Sequence, residues 1–357
     1  MVQPFSQSRV KPEQNLRGLS SFNEAIRLLR ESNSIVITTH INPDGDGIGS
    51  ELALSRALRY ADRMEDSKAG LHKPKTISII NVNPTPKNYQ FLDVDNEIRT
   101  FDETQDAPTI LQADLVVVLD TNHPMRLRTM EPYVLRSSAQ KLCIDHHLDT
   151  SNFADVYLID EEASSTGEIV MKVVEELTSH QIDAQMATCL YAAIMTDTGS
   201  FRYPRTDAEL HRTIADLLEL GADPTYIYDQ IYDQWSPNRL RLLGNALSNI
   251  RVLYDGKLAI MTVTQEMLSA TATTDAETDN FSTYPMSIAG VLLGVLLVEL
   301  PDGVKMSFRS KGDLWVNRLA QIFGGNGHKN AAGALVFDRR LEEVQSDVLL
   351  YAGEFLK

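Results

Sequence analysis

Apolar residues come in short β-branched runs through the first two-thirds of the chain, separated by longer stretches with helical spacing. SIVITTH (Ser34–His40) has the composition of a strand buried on both faces. TISIINV (Thr76–Val82), DLVVVLD (Asp114–Asp120) and KLCID (Lys141–Asp145) repeat it. IGSELALSRALRYA, after the first run, reads as a helix, as do segments near Ser165–Ser179 and Asp183–Thr196. Doubly buried strands with helices between them predict an α/β fold with a doubly wound, mostly parallel sheet.

From Asp207 to Ile250 the pattern is helical, broken at Gly221, Pro224 and Ser236-Pro237. Beyond it lie KLAIMTV, GVLLVEL, GVKMSFRS, a helix near Leu314–Phe323, a glycine-rich loop, GALVFD and a last helix. These predict a second, smaller α+β domain. The expected division is a first domain over 18–230, a helical linker over 231–250 and a second domain over 251–357. The acidic stretch Asp275–Asp279 reads as a loop or a loose helix start.

A length of 357 residues, 43% hydrophobic and 23% charged, suits two ordinary globular domains. Residues 1–17 are polar and carry no signal-peptide pattern. The longest uncharged apolar run, Pro285–Val298, is broken by glycine and falls short of the roughly 20 residues that span a bilayer. Cys143 and Cys189 sit in apolar segments, as buried thiols in a reducing cytoplasm would. The net charge of −16 opposes binding of long duplex DNA. Residues 301–340 run against it, with seven Lys/Arg and three Asp, which suits a small anionic ligand.

Polar clusters stand where the buried strands end. They read His40-Ile-Asn-Pro-Asp44-Gly-Asp46, Asp120-Thr-Asn and Asp145-His146-His147, and Thr196-Asp197-Thr198-Gly199 closes a helix. In open α/β sheets ligands bind at those strand ends. Imidazole and carboxylate without thiolate suit Mn²⁺, Fe²⁺, Co²⁺ or Zn²⁺, and several carboxylates favour Mn²⁺. Six such groups exceed one tetrahedral zinc site and suffice for two divalent ions sharing one carboxylate. Other readings of the first cluster are a simple helix-start turn, a dinucleotide fingerprint and a calcium loop. Gly45, Gly47 and Gly49 have the wrong spacing for the fingerprint, and Ile48 occupies a calcium-ligand position.

With these motifs in order, the chain resembles the DHH phosphoesterases, and Gly324-Gly325-Asn326-Gly327-His328-Lys-Asn-Ala-Ala-Gly333 resembles the signature of the DHH-associated domain. The likeness runs from about Leu19 to the C-terminus and is nearest the nanoRNase and pAp-phosphatase branch. It departs at Asn326, which stands where that branch has three consecutive glycines before the histidine. The resemblance implies His40 and Asp44 on one metal, Asp46, His146 and Asp197 on a second, and Asp120 bridging. It implies His147 at the scissile phosphate and Asp145 behind a metal-ligating imidazole. Arg309, Ser310, Gly325, Gly327 and His328 would grip substrate, the glycines as a nest of open backbone amides. The implied substrates are short RNA oligonucleotides or small nucleotide phosphates such as 3′-phosphoadenosine 5′-phosphate. A linear or cyclic dinucleotide phosphodiesterase and a non-hydrolytic nucleotide sensor are the alternatives. Family II pyrophosphatases lack the glycine signature, and RecJ-type exonucleases carry further nucleic-acid-binding parts. A cytoplasmic location, no membrane partner and compatibility with a homodimer complete the expectation.

Overall fold

The computed structural model describes residues 12–69, 74–327 and 329–356. Most of the polar leader and His328 lie outside the described residues. Two compact units meet at Gln234/Trp235.

The first unit runs α1 (Pro12–Glu31), β1 (Ser34–Thr38), α2 (Gly45–Ala69), β2 (Thr76–Asn81), β3 (Ile98–Thr100), α3 (Glu103–Gln112), β4 (Leu115–Leu119), α4 (Glu131–Arg136), β5 (Gln140–Asp145), β6 (Val156–Ile159), α5 (Thr166–Thr178), α6 (Ala184–Asp197), α7 (Ala208–Glu219) and α8 (Pro224–Tyr232). Its six strands are all parallel, in the order β3-β2-β1-β4-β5-β6. This is the doubly wound sheet the buried runs predict. Alternation along each strand splits the core into two layers. Ile35, Ile37, Val117 and Leu119 face α2, α5 and α6, while Val36, Val116 and Val118 face α3 and α4. Strand order reverses between β1 and β4, which opens a crevice at their carboxyl ends.

The second unit runs α9 (Pro237–Ser248), β7 (Arg251–Leu253), β8 (Leu258–Val263), α10 (Gln265–Thr271), β9 (Leu293–Leu300), β10 (Gly303–Ser310), α11 (Val316–Ile322), β11 (Asn326–Gly327), β12 (Ala331–Phe337) and α12 (Leu341–Phe355). Its mixed sheet has the order β11-β12-β10-β9-β8-β7, with β8 and β9 parallel. α11 and α12 cover one face. The other face takes Leu242, Leu243 and Ala246 of α9 against Met261, Val263, Leu296 and Val298. The expected 231–250 linker is therefore divided, since α8 ends within the first unit and α9 belongs to the core of the second. The acidic stretch forms a 3₁₀ turn, Asp275–Thr278, capped reciprocally by Thr274 and Glu277.

Both cysteines are buried and unbridged. No helix among the described residues is long and apolar enough to cross a membrane.

Candidate metal centre

Three strand ends and one helix end converge in the first unit. β1 runs into His40, whose ring is 4% exposed. His40 Nδ1 lies 2.7 Å from Ile41 O, and Nε2 lies 3.2 Å from Asp120 Oδ2 and 3.8 Å from Asp44 Oδ2. Asp44 Oδ1 accepts from the backbone N–H of Asp46 and Gly47, at 3.1 and 3.3 Å, and so caps α2. Its side chain stays half exposed.

Asp120 follows β4 in the left-handed region, at φ 59°, a conformation Asp tolerates better than most residues. Its carboxylate is buried between two groups of histidine. Oδ2 faces His40, while Oδ1 accepts from Thr166 Oγ1 at 3.0 Å and lies 3.9 Å from His146 Nε2. β5 ends in Asp145, which is fully buried. Asp145 Oδ1 accepts from His146 N at 2.8 Å and from His147 Nδ1 at 2.6 Å. His146 Nε2 lies 3.4 Å from Asp197 Oδ2, at the end of α6, and 3.9 Å from Asp46 Oδ2.

Asp46 is 1% exposed, in the first turn of α2. Its two oxygens accept from Thr166 N and Gly167 N, each at 2.7 Å. These are the first amides of α5, left without partners inside the helix. Ser165 Oγ takes the next one, from Glu168 N at 3.2 Å. The positive end of α5 thus holds a buried carboxylate across the crevice. Gly167 fits because a Cβ there would meet Ala193 Cβ at 2.6 Å and crowd Asp46 Oδ1 at 3.2 Å.

The charges are mutually dependent. Burial, and then Asp120, Asp197 and Asp44, push the Asp46 carboxyl well above the usual carboxylate range. Burial and the Asp120 and Asp44 charges push Asp197 up to about 8. Burial also acts on Asp120, but the His40 hydrogen bond and the neighbouring imidazoles outweigh it and hold its carboxyl low. Burial opposes a charge on His147, yet the Asp145 hydrogen bond and the Asp120 charge lift it to about 9. His146 moves down, mainly by burial.

Donor atoms of His40, Asp44 and Asp120 lie within 4.8 Å of one another, and so do those of Asp46, His146 and Asp197. Asp120, Asp145, His146 and His147 form a third such group. His146 Nε2 is buried with no hydrogen-bond partner among the described residues. A buried imidazole nitrogen without a partner, among carboxylates that repel one another, fits a divalent cation. The donor set is oxygen and nitrogen throughout. The centre is able to hold metal ions.

Sequence reasoning missed two residues here. Thr166 and Gly167 lie in Ser164-Ser165-Thr166-Gly167, which reads only as a helix start, and no strand-end pattern marks it. Asn122 stands in the second cluster, where the sequence gives it no role of its own. Its Nδ2 donates to His147 O at 2.9 Å and so fixes the turn that carries the two histidines.

In the second unit, Arg309 and Ser310 end β10. The Ser310 hydroxyl donates to Leu314 O at 2.6 Å and accepts from Asn330 Nδ2 at 2.8 Å, so it is engaged in its own loop. The glycine loop also differs from a nest of open amides. Gly324 N donates to Gln321 O and Gly325 N to Ala320 O, closing the last turn of α11. Gly325 packs on β12, where a Cβ would meet Gly333 O at 2.1 Å. Close packing of two backbones, more than open amides, requires that glycine.

The N-terminal domain profile of the DHH family matches residues 34–194. A crystal structure of an exopolyphosphatase-related protein from Bacteroides fragilis superposes with a TM-score of 0.86 at 31% identity, covering 95% of this chain and 98% of that one. The chain belongs to the DHH family. Its curated relatives include the bifunctional oligoribonuclease and PAP phosphatase NrnA of Thermus thermophilus, 28% identical over 333 residues, 91% of this chain and 93% of that protein. The Bacillus subtilis protein of the same name is 26% identical over 330 residues, 90% and 97% of the two chains. This DHH protein is a hydrolase acting on phosphoester bonds.

Proposed function

We propose that the protein hydrolyses short oligoribonucleotides and 3′-phosphoadenosine 5′-phosphate with two divalent ions, Mn²⁺ first among them. The single observation that carries this is the buried Asp120 carboxylate, which stands between the two donor groups, with Oδ2 3.2 Å from His40 Nε2 and Oδ1 3.9 Å from His146 Nε2. In this reading His40 and Asp44 serve one ion, Asp46, His146 and Asp197 the other, and Asp120 both. Paired ions at such a centre polarise a phosphoryl oxygen and acidify a water.

The protein's own groups do the rest. Asp145 accepts from His147 Nδ1 and so orients the imidazole. In this reading the His147 imidazole, so oriented, contacts a phosphoryl oxygen of the substrate. The Asp46 clamp on α5 keeps Thr166 against Asp120. To the second unit we assign phosphate binding by Arg309, Gly327 and His328, inside a segment of seven Lys/Arg and three Asp. The NrnA names of the full-length relatives support the substrate class. The cytoplasm, where short RNA fragments arise, is the compartment this implies.

The test is a release assay with Mn²⁺ on a 5′-phosphorylated diribonucleotide, 3′-phosphoadenosine 5′-phosphate and cyclic di-AMP. Cleavage of the first two is expected. Turnover of cyclic di-AMP alone would replace this reading with the cyclic-dinucleotide one, and binding without turnover of any would make the protein a sensor.

A further inference from the structure

The chain has two tryptophans, and the second unit uses them in opposite ways. Trp235 packs into the hydrophobic cluster around Phe281, under the Arg239 guanidinium at 4.1 Å. Trp315 is 42% exposed. It precedes α11 at the capping position and makes no side-chain capping hydrogen bond there. A small polar residue is the usual choice at such a place.

The loop before Trp315 is held without help from the indole. Asn330 Nδ2 donates to Ser310 Oγ at 2.8 Å and to Gly312 O at 3.1 Å. Ser310 Oγ donates to Leu314 O, and Val316 N donates to Lys329 O at 2.8 Å. The ring is therefore presented on a fixed ledge. Two cations attend it, with Arg318 Cζ 4.8 Å and Lys329 Nζ 5.6 Å from the ring centroid. Lys329 also pairs with the exposed Asp313 at 2.7 Å. The local charge is positive in a chain of net −16.

An exposed aromatic ring on a rigid ledge among Arg and Lys is the composition of a surface for single-stranded nucleic acid, where bases stack and cations meet the backbone. We infer that Trp315 is a stacking platform for a nucleobase, with Arg318 and Lys329 holding the adjoining phosphate. The inference deepens the proposed function and rests on it for the identity of the substrate. It adds that the base is gripped as well as the phosphate, with little preference among bases, since every base offers a π face.

Binding is read by tryptophan fluorescence on the full-length protein with chelator present, so that nothing turns over. Adenosine 5′-monophosphate should quench emission, ribose 5-phosphate should not, and Trp315→Phe should lose the quench. Equal quenching by both ligands, or a quench that survives Trp315→Phe, overturns the platform. In the Mn²⁺ assay Trp315→Ala should raise KM for a diribonucleotide about tenfold, within the range that stacking of one base supplies. Trp315→Phe, which keeps a π face, should recover most of that loss. An unchanged KM in Trp315→Ala refutes the platform and leaves the proposed function standing. Absence of diribonucleotide cleavage in the wild type, with the quench intact, refutes the proposed function and leaves the platform.

Discussion

Thr166→Val replaces a hydroxyl with a methyl of nearly the same shape, at a fully buried position at the start of α5. The backbone amide still donates to Asp46 at 2.7 Å, so α5 stays docked. What is lost is the 3.0 Å hydrogen bond from Thr166 Oγ1 to Asp120 Oδ1. A hydrogen bond to a charged group contributes about 1.5–3 kcal/mol, and each ~1.4 kcal/mol is a factor of ten. Asp120 Oδ1 has His146 Nε2 only at 3.9 Å and His147 Nδ1 at 3.8 Å to replace that donor. Metal affinity should therefore fall by roughly 10- to 100-fold, the usual effect of removing a group that orients a metal ligand. Thr166→Ser keeps the hydroxyl and should fall by much less. Isothermal titration of the chelated protein with Mn²⁺ measures both, and circular dichroism shows whether the fold is kept. A Val variant that is folded and binds metal like the wild type would refute the idea that Asp120 depends on this hydroxyl.

Asp120→Ala should abolish turnover and lower total bound metal, since one carboxylate is shared; elemental analysis with near-normal loading would remove the shared-ligand assignment. His147→Ala should lower kcat by about 10²–10³ while metal loading stays unchanged, because one donor to the phosphoryl group is lost; loss of metal would exchange the roles of His146 and His147. Stability of the metal-free protein should fall as pH rises. His147 goes from an ordinary 6.5 to about 9 and Asp197 from 3.8 to about 8, so in both cases the folded state holds the proton longer than the unfolded one. The His147 contribution is full below about pH 6.5 and is lost as pH climbs through about 9. A thermal midpoint of chelated protein that is flat or rising across this interval would contradict the raised values.

The parallel sheet is legible because β1, β4 and β5 are continuous apolar runs, and Asp or His at the end of each has no part in forming a strand. The edge strands β3 and β6 are not, since they are short and partly exposed and so lack such a run. α9 reads as a linker because its Leu242, Leu243 and Ala246 show only one apolar face, and sequence does not say which unit receives it. Thr166 and Gly167 escape notice for another reason. Their work is done by backbone amides and one hydroxyl, and amides leave no mark on residue identity. The glycine signature is visible, but a loop open to anions and a loop packed on a neighbouring strand both require glycine.

The bonds from Thr166 and Gly167 to Asp46 join positions 120 and 121 residues apart. On the ribosome, at about 5–20 residues per second, roughly 6–24 s separate the synthesis of the acceptor from that of its donors. Until α5 arrives, burying Asp46 would strand a carboxylate without partners, so β1 and α2 must wait in a partly open state. Long-range closure of this kind slows folding and leaves strand edges exposed. A nascent chain that ends before residue 166 would thus carry His40, Asp44 and Asp46 on an unfinished layer, without the amides that hold Asp46 and without hydrolytic activity.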